Sequence, residues 1–88
     1  MTVYYEQGRV NRMPYNKYVL GETIRELRRE KGISQEVLSG LSGIARSHLS
    51  MIENGTTSIN VETLWKIADA IGVPLSEIVE RVEMKMEQ

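Results

Sequence analysis

The sequence predicts an all-α domain of five helices, and three observations carry this prediction. Two short segments with helical apolar spacing lie within residues 34–55, and a tight glycine-containing turn separates them. The segments on either side repeat their apolar residues every three or four positions, which is the period of an amphipathic helix. Alternation typical of a strand occurs only near the two ends of the chain, at residues 2–5 and 82–87.

The first helix is predicted from about Tyr18 to Lys31, because Leu20, Ile24 and Leu27 form one apolar stripe. Gly32 can take the left-handed conformation that closes a helix. The charged residues outside the stripe are Glu22, Arg25, Glu26 and Arg29.

Two shorter helices follow within residues 34–55. Ser34 is a good N-cap for a helix from about Gln35 to Leu41. Gly43 supplies the positive φ that the turn needs, and a third helix is predicted from about Ala45 to Glu53. Helices this short, joined by so small a turn, must cross steeply and closely.

The third helix is predicted to have one buried face and one exposed face. At 100° per residue, Ala45, Leu49 and Ile52 share the core stripe. A guanidinium, two hydroxyls, a thioether and an amide belong to the other face, from Arg46, Ser47, Ser50, Met51 and Asn54. Such side chains can enter the major groove of DNA and reach base edges and phosphates, so the pattern predicts a recognition helix.

In these residues the chain resembles the lambdoid phage repressor and Cro class of helix-turn-helix proteins, also called the XRE family. The similarity covers about Val19 to Val79 and rests on K-G-I-S-Q-E-x-L, G-I-A-R-S, S-x-I-E-N-G and T-L-x-K-I-A-D-A-I-G-V. It implies a repressor-type fold of five helices. The chain would divide into an N-terminal arm at 1–17, a DNA-binding domain at 18–80 and a C-terminal tail at 81–88.

The resemblance also implies roles for individual residues. Gln35 would contact a phosphate beside the groove, and Asn54 would touch the DNA backbone. The family often pairs an arginine of its first helix with the glutamate that ends the recognition helix, and Arg28 and Glu53 stand at those places. Four residues would face bases or flanking phosphates: Arg46, Ser47, Ser50 and Met51.

Two positions depart from the family's pattern. The usual Ser or Thr before Arg46 is Ala45, which weakens the N-cap by about 1 kcal/mol. The frequent polar residue at position 51 is Met51, which suggests apolar contact with a thymine methyl group in place of a hydrogen bond.

A fourth helix is predicted from about Val61 to Ile71, with Asn60 as its N-cap. Trp65 flanks its core stripe, and the sequence leaves open whether this side chain is a core edge or an interface anchor. A short fifth helix begins at Leu75. The core stripe of the fourth helix is predicted to contain Val61, Leu64, Ala68 and Ile71, with Ile67 beside it.

For each end of the chain, the sequence allows two different structures. Residues 82–87 alternate like a strand and could pair with Thr2–Tyr5 in a small sheet, or they could extend the fifth helix. Residues 1–18 could pack on the domain as strand or coil, or form a basic arm that reaches DNA. Val37 and Leu41 lie on a face that the family usually keeps polar, so we expect the arm or a partner subunit to cover them.

Composition excludes several classes of protein. Eighty-eight residues suffice for one domain, without a further ligand-sensing domain. With no cysteine and a single histidine, His48, we expect no metal site, and no catalytic or cofactor-binding pattern stands out. No apolar run could span a membrane and no signal peptide is evident, so we expect a cytoplasmic protein without a membrane partner.

The charge is weakly acidic, which argues mildly against binding to DNA phosphates. The net charge is −1, but residues 1–53 hold eight Lys and Arg against six Asp and Glu, whereas residues 54–88 hold three against six. The basic half is the half with the recognition helix. Binding should therefore depend on base contacts and dimer symmetry more than on nonspecific attraction.

These observations predict a transcriptional regulator that binds double-stranded DNA as a homodimer on a palindromic operator. In the family that the chain resembles, the fifth helix and its surroundings commonly form the two-fold interface. The alternative is an antitoxin or another protein-interaction module that uses the same fold, with a protein partner in place of DNA. Exposed Val37 and Leu41 and the low charge favour that alternative.

Overall fold

The computed structural model describes residues 15–87, which form five α-helices. Their bounds are α1 Lys17–Glu30, α2 Gln35–Ser42, α3 Arg46–Glu53, α4 Val61–Ile71 and α5 Leu75–Met86. No strand occurs within the described range. The predicted all-α fold of five helices is confirmed.

Most of the helix ends follow from local hydrogen bonds. Gly32 takes a φ of 72°, and the Ile33 amide behind it donates to the Arg28 carbonyl at 3.2 Å, which closes α1. The Ser34 hydroxyl accepts from the Val37 amide at 3.1 Å at the start of α2. Asn60 caps α4 in the same way. These are the caps that the sequence predicts.

The start of α3 differs from the prediction. The helix begins at Arg46, and Ala45 is an exposed N-cap with no side-chain hydrogen bond to the helix. Ala45 was predicted to share the core stripe with Leu49 and Ile52, and that placement is wrong. Its backbone, with φ −55° and ψ 139°, is not helical, so its side chain does not follow the 100° spacing of the helix.

One hydrophobic core joins all five helices. α1 packs against α3 and α5, and α2 packs against α3 and α4. The buried apolar residues are Leu20, Ile24, Leu27, Leu38, Ile44, Leu49, Ile52, Ile67, Ala68, Ile71, Val73 and Ile78.

The buried face of α4 also differs from the prediction. Val61 is 66% exposed, although the sequence predicts it in the core stripe, whereas Ile67, predicted beside that stripe, is fully buried. Val61 is the first residue of α4, and the core lies against the later turns at Ile67, Ala68 and Ile71. Trp65 is 62% exposed and is not a core residue.

The C-terminal segment is helical, so of the two alternatives for residues 82–87 the strand is wrong and the helix extension is confirmed. α5 runs for twelve residues to Met86 and passes residue 80 without a break. Its charged side chains bind α1: Arg81 Nη1 lies 2.6 Å from Glu30 Oε2, and Lys85 Nζ lies 2.8 Å from Glu26 Oε1. Arg81 and Lys85 are four residues apart and therefore lie on the same side of α5.

The other predictions for the ends fall outside the described residues. The strand at Thr2–Tyr5 and nearly all of the arm at 1–17 belong to that part of the chain. The division into arm, domain and tail stays a prediction.

Candidate nucleic-acid interface

α3 presents a continuous polar face to solvent. Leu49 and Ile52 are buried on its inner side. On its outer side Arg46, Ser47 and Met51 are exposed and Ser50 is half-buried. The face therefore combines one cation, two hydroxyls and one thioether, all on eight residues of helix. His48 is exposed on the same helix.

The turn between α2 and α3 is held by its own side chains. The Ser39 hydroxyl donates to the Ile44 carbonyl at 2.6 Å, and the Ser42 hydroxyl accepts from the Ile44 amide at 3.2 Å. Gly43 takes a φ of 76°, a backbone conformation that L-residues rarely adopt. These contacts fix the angle between α2 and α3, because both hydroxyls bind the same residue of the turn.

A glycine lets α1 approach the end of α3. A Cβ atom on Gly21 would collide with the carbonyl oxygen of Ile52 and would lie 2.8 Å from that of Glu53. The two backbones are therefore in direct contact. The sequence analysis missed this residue, although a glycine in a helix interior costs about 1 kcal/mol relative to alanine and so calls for a reason.

Arg28 of α1 and Glu53 of α3 form a buried ion pair. Arg28 Nε donates to Glu53 Oε2 at 2.7 Å, and Arg28 Nη2 donates to Glu53 Oε1 at 2.9 Å. Arg28 Nη1 donates to the carbonyl of Ile33 at 2.8 Å, so one guanidinium joins α1, the turn before α2 and the end of α3. Only 7% of Arg28 and 2% of Glu53 are exposed.

The pair keeps its charges despite burial. Burial raises the pKa of Glu53, but the hydrogen bonds from Arg28 and Gln35 outweigh this effect and hold the pKa of the carboxyl below its ordinary value. The hydrogen bond to Glu53 raises the pKa of Arg28. Both groups are therefore ionised at neutral pH, and α3 is attached to α1 by a bidentate, charge-assisted contact.

Two of the predicted DNA-contacting residues lie beside this pair. Gln35 Nε2 donates to Glu53 Oε1 at 3.1 Å. Asn54 accepts at Oδ1 from Arg25 Nη2 at 2.5 Å, and Arg25 Nε lies 3.4 Å from Glu53 Oε1. The structure thus joins Gln35 directly, and Asn54 through Arg25, to Glu53 at the end of α3. Arg46, Ser47, Ser50 and Met51 lie along the helix itself.

Arg25 was not among the predicted site residues. The sequence analysis placed it outside the core stripe of α1 and gave it no role. A signal was present, because Arg25 precedes Arg28 by three residues, and residues three apart share one side of a helix. What the spacing does not reveal is that this side of α1 faces Asn54, which lies 29 residues away in the sequence.

The apolar surface of α2 is uncovered within the described residues. Val37 and Leu41 are 47% and 61% exposed. The proposed cover, the arm with Tyr4, Tyr5 and Met13, lies outside residues 15–87.

Within the described range there is no group of three or more His, Asp or Glu side chains that could hold a metal ion. Nor does that range contain a helix that is both long enough and apolar enough to cross a membrane.

Comparison with known proteins identifies helix-turn-helix relatives. The model of the family HTH_3, described as helix-turn-helix, matches residues 24–78. An uncharacterized HTH-type transcriptional regulator, y4dJ of Sinorhizobium fredii, is 39% identical over 61 residues, which are 69% of this chain and 79% of that protein.

Two solved structures share the fold. The restriction-modification controller C.AhdI of Aeromonas hydrophila is 36% identical, with a TM-score of 0.68 over 69% of this chain and 92% of that one. The controller C.Esp1396I, solved as a tetramer with its natural 35-base-pair operator, is 22% identical, with a TM-score of 0.78 over 86% of this chain and 100% of that one. At that identity the second likeness concerns the fold alone.

Proposed function

Because the chain belongs to the HTH_3 family of helix-turn-helix proteins, the XRE-type transcriptional regulators, we propose that it binds a palindromic DNA operator as a homodimer. The observation that carries this proposal is the exposed polar face of α3. A helix that is buried on one side and held at its end by a bidentate ion pair is rigid enough to be inserted into a major groove.

In this proposal the residues of α3 divide the work of recognition. Arg46 opens the helix and binds a guanine edge or a phosphate through its guanidinium. Ser47 and Ser50 donate or accept short hydrogen bonds, and Met51 packs against a thymine methyl. Gln35 and Asn54 contact the DNA backbone at the C-terminal end of α3, which sets the position of α3 but reads no sequence.

The observation that supports the proposed dimer is an apolar groove between the start of α1, α4 and α5. Its volume is about 340 Å³. The residues that line it include Tyr15, Leu20, Ile59, Val61, Leu64, Val79, Val82 and Met86. Val61 and Val79 expose much of their side chains, so a second copy packed here would bury apolar surface on both subunits.

The need for a second copy comes from the size of the recognition helix. One α3 reads only a few base pairs, and a dimer places a second α3 about one helical turn of DNA away. The proposed mechanism is occupancy: bound protein blocks or contacts RNA polymerase in the cytoplasm, and no catalytic residue is needed.

Selection of bound sites from random DNA, followed by titration of the selected site at several salt concentrations, tests the proposal. We expect a two-fold symmetric site, two chains per site and affinity that falls with salt. The proposal would be wrong if the selection enriched no DNA sequence, or if only one chain bound each site.

A second candidate is a protein-interaction module such as an antitoxin. The observation that favours it is the exposed pair Val37 and Leu41 on α2. Retention of one defined partner protein by the parent chain and not by Leu41→Glu, together with failure of site selection, would decide for this function.

A further inference from the structure

A cluster of hydrogen-bond donors lies where α1 meets the start of α2 and the end of α3. Arg25 donates to Asn54, and both Arg25 and Gln35 donate to Glu53 Oε1. We propose that Arg25, Gln35 and Asn54 form a single site for a DNA phosphate group, in which Arg25 supplies the charge and orients Asn54. This inference rests on the DNA binding proposed above.

One positive charge of the cluster, that of Arg25, is not neutralised and is available to a ligand. Arg28 and Glu53 are buried against each other, with side-chain exposures of 8% and 0%, so their charges cancel inside the protein. Arg25 lies at the edge of this pair with 32% of its side chain exposed. The net charge of the three groups is +1, and Arg25 is the most exposed of the three, with a guanidinium suited to phosphate.

The hydrogen bond from Arg25 also decides which way the Asn54 amide points. Asn54 Oδ1 accepts from Arg25 Nη2, so the amide nitrogen, with its two N–H donors, is directed away from Arg25. A phosphate oxygen can only accept, so it binds this nitrogen and is repelled by the amide oxygen. Without Arg25 the amide can rotate and present either atom.

Gln35 completes a surface made of donors. Its Nε2 uses one hydrogen on Glu53 Oε1 and keeps the second. The carboxylate therefore holds the amide nitrogen in place and is itself saturated by its partners, because Arg28 donates to both of its oxygens.

The position of the cluster explains what a phosphate bound there would do. Gln35 is the first residue of α2, and Asn54 follows the last residue of α3. A phosphate between them would fix how deeply α3 enters the groove. Such a contact raises the affinity for every DNA sequence and does not discriminate among bases.

The first test compares Arg25→Gln with Arg29→Gln, titrated against the selected operator and an unrelated duplex over a range of salt. Arg29 is the matched control, because it is an exposed arginine of the same helix, one turn further on, with no hydrogen bond from its side chain within residues 15–87. We expect Arg25→Gln to weaken both duplexes roughly tenfold or more. The slope of log affinity against log salt should fall by about 1.

Equal losses in the two variants would show a general charge effect and overturn the inference, as would an unchanged salt slope for Arg25→Gln. Binding of the parent chain to its operator in the same titrations separates the two proposals. If the parent selects no operator, the proposed function fails. If the parent selects an operator and Arg25→Gln binds it with the same affinity, only this inference fails.

The second test asks whether Arg25 positions Asn54. If Arg25 acts through Asn54, the effects of Arg25→Gln and Asn54→Ala on DNA affinity should not be independent. The double variant should lose less affinity than the product of the two single losses, by about threefold or more. Losses that multiply would contradict the positioning role. Arg25→Lys keeps the positive charge and should keep the slope of log affinity against log salt. It tests the phosphate contact even if Arg25→Gln lowers the stability of the fold. A slope reduced by about 1 in Arg25→Lys would overturn that contact.

Discussion

Glu53 shows at the scale of one residue how the fold keeps a buried charge. Burial alone would favour the neutral carboxyl, but two donors of Arg28, one of Gln35 and one of Arg25 reach its oxygens. The ionised form is therefore the stable one in the folded protein. Such a pair adds little net stability over apolar residues of the same size, yet removing one partner is costly because the other charge stays buried.

Glu53→Gln should lower the free energy of unfolding by about 3 kcal/mol at neutral pH, because Arg28 would lose its countercharge. The folded pKa of Glu53 lies below its ordinary value of about 4.3, so its contribution is full above that pH and is lost as the pH falls through the folded pKa. Urea unfolding at fixed protein concentration from pH 7 to pH 3 should show the difference between parent and variant narrowing below about pH 4.

Glu80→Gln is the matched control, because Glu80 is an exposed carboxylate with no ion pair among the described residues. It should change stability little at any pH. A difference between parent and Glu53→Gln that stays constant down to pH 3 would contradict the assigned charge of Glu53.

Arg46→Ala should reduce the preference for the selected operator over single-base variants. A bidentate contact between a guanidinium and guanine is worth about 1 to 3 kcal/mol, and the variant loses it. Binding measured on the operator and on each single-base variant checks the expectation, with Lys66→Ala on α4 as the control for loss of one positive charge. The assignment is wrong if Arg46→Ala keeps the parent's full selectivity.

At the scale of elements, α3 starts without the cap that its neighbours have. Ser34 and Asn60 accept a backbone hydrogen bond at the starts of α2 and α4, whereas Ala45 has no side-chain acceptor. Contacts at both ends hold α3 instead. Ser39 and Ser42 bind the turn before its first residue, and Glu53 at its last residue pairs with Arg28. Tertiary contacts replace local chemistry here.

Ala45→Ser should stabilise the protein by about 1 kcal/mol, because the serine hydroxyl can accept from an amide in the first turn of α3. The midpoint of thermal unfolding should rise by about 4–8 °C. Ala45→Val fills the same position without an acceptor and should bring no gain. A serine variant no more stable than the valine variant would show that the backbone at residue 45 does not allow the cap.

At the scale of the whole molecule, the described residues place polar and apolar surfaces in different regions, which supports the proposed assembly. The exposed face of α3 and the proposed phosphate site at its end share no residue with the apolar groove, which lies between the start of α1, α4 and α5. A dimer formed through the groove would leave both copies of α3 exposed. The groove is therefore the surface to test for association.

Val79→Glu should convert a dimer to a monomer, because an acidic side chain at the exposed rim of the groove cannot be buried against a second copy. Leu41→Glu changes an exposed leucine of α2 in the same way and should leave the dimer intact. Sedimentation of the parent and both variants at micromolar concentration measures the effect. A parent that stays monomeric with and without operator DNA would rule out the homodimer, and a dimeric Val79→Glu would place its interface elsewhere.

Much of the helical framework could be predicted from the sequence, because it depends on chemistry within a few residues. Gly32 and Gly43 take positive φ where a helix must end, and Ser34 and Asn60 accept the hydrogen bonds that start α2 and α4. The exposed face of α3 also follows from residue spacing alone, since Leu49 and Ile52 define its inner side.

The tertiary structure decided the features that depend on residues distant in sequence. Gly21 is required because the backbone of α3 passes against it, and Arg25 joins the candidate site because α1 brings it to Asn54. The extended α5 brings Arg81 and Lys85 to Glu30 and Glu26 of α1, and the buried face of α4 follows from where the core lies. The same apolar spacing is compatible with several packings, and contacts between separate helices select one.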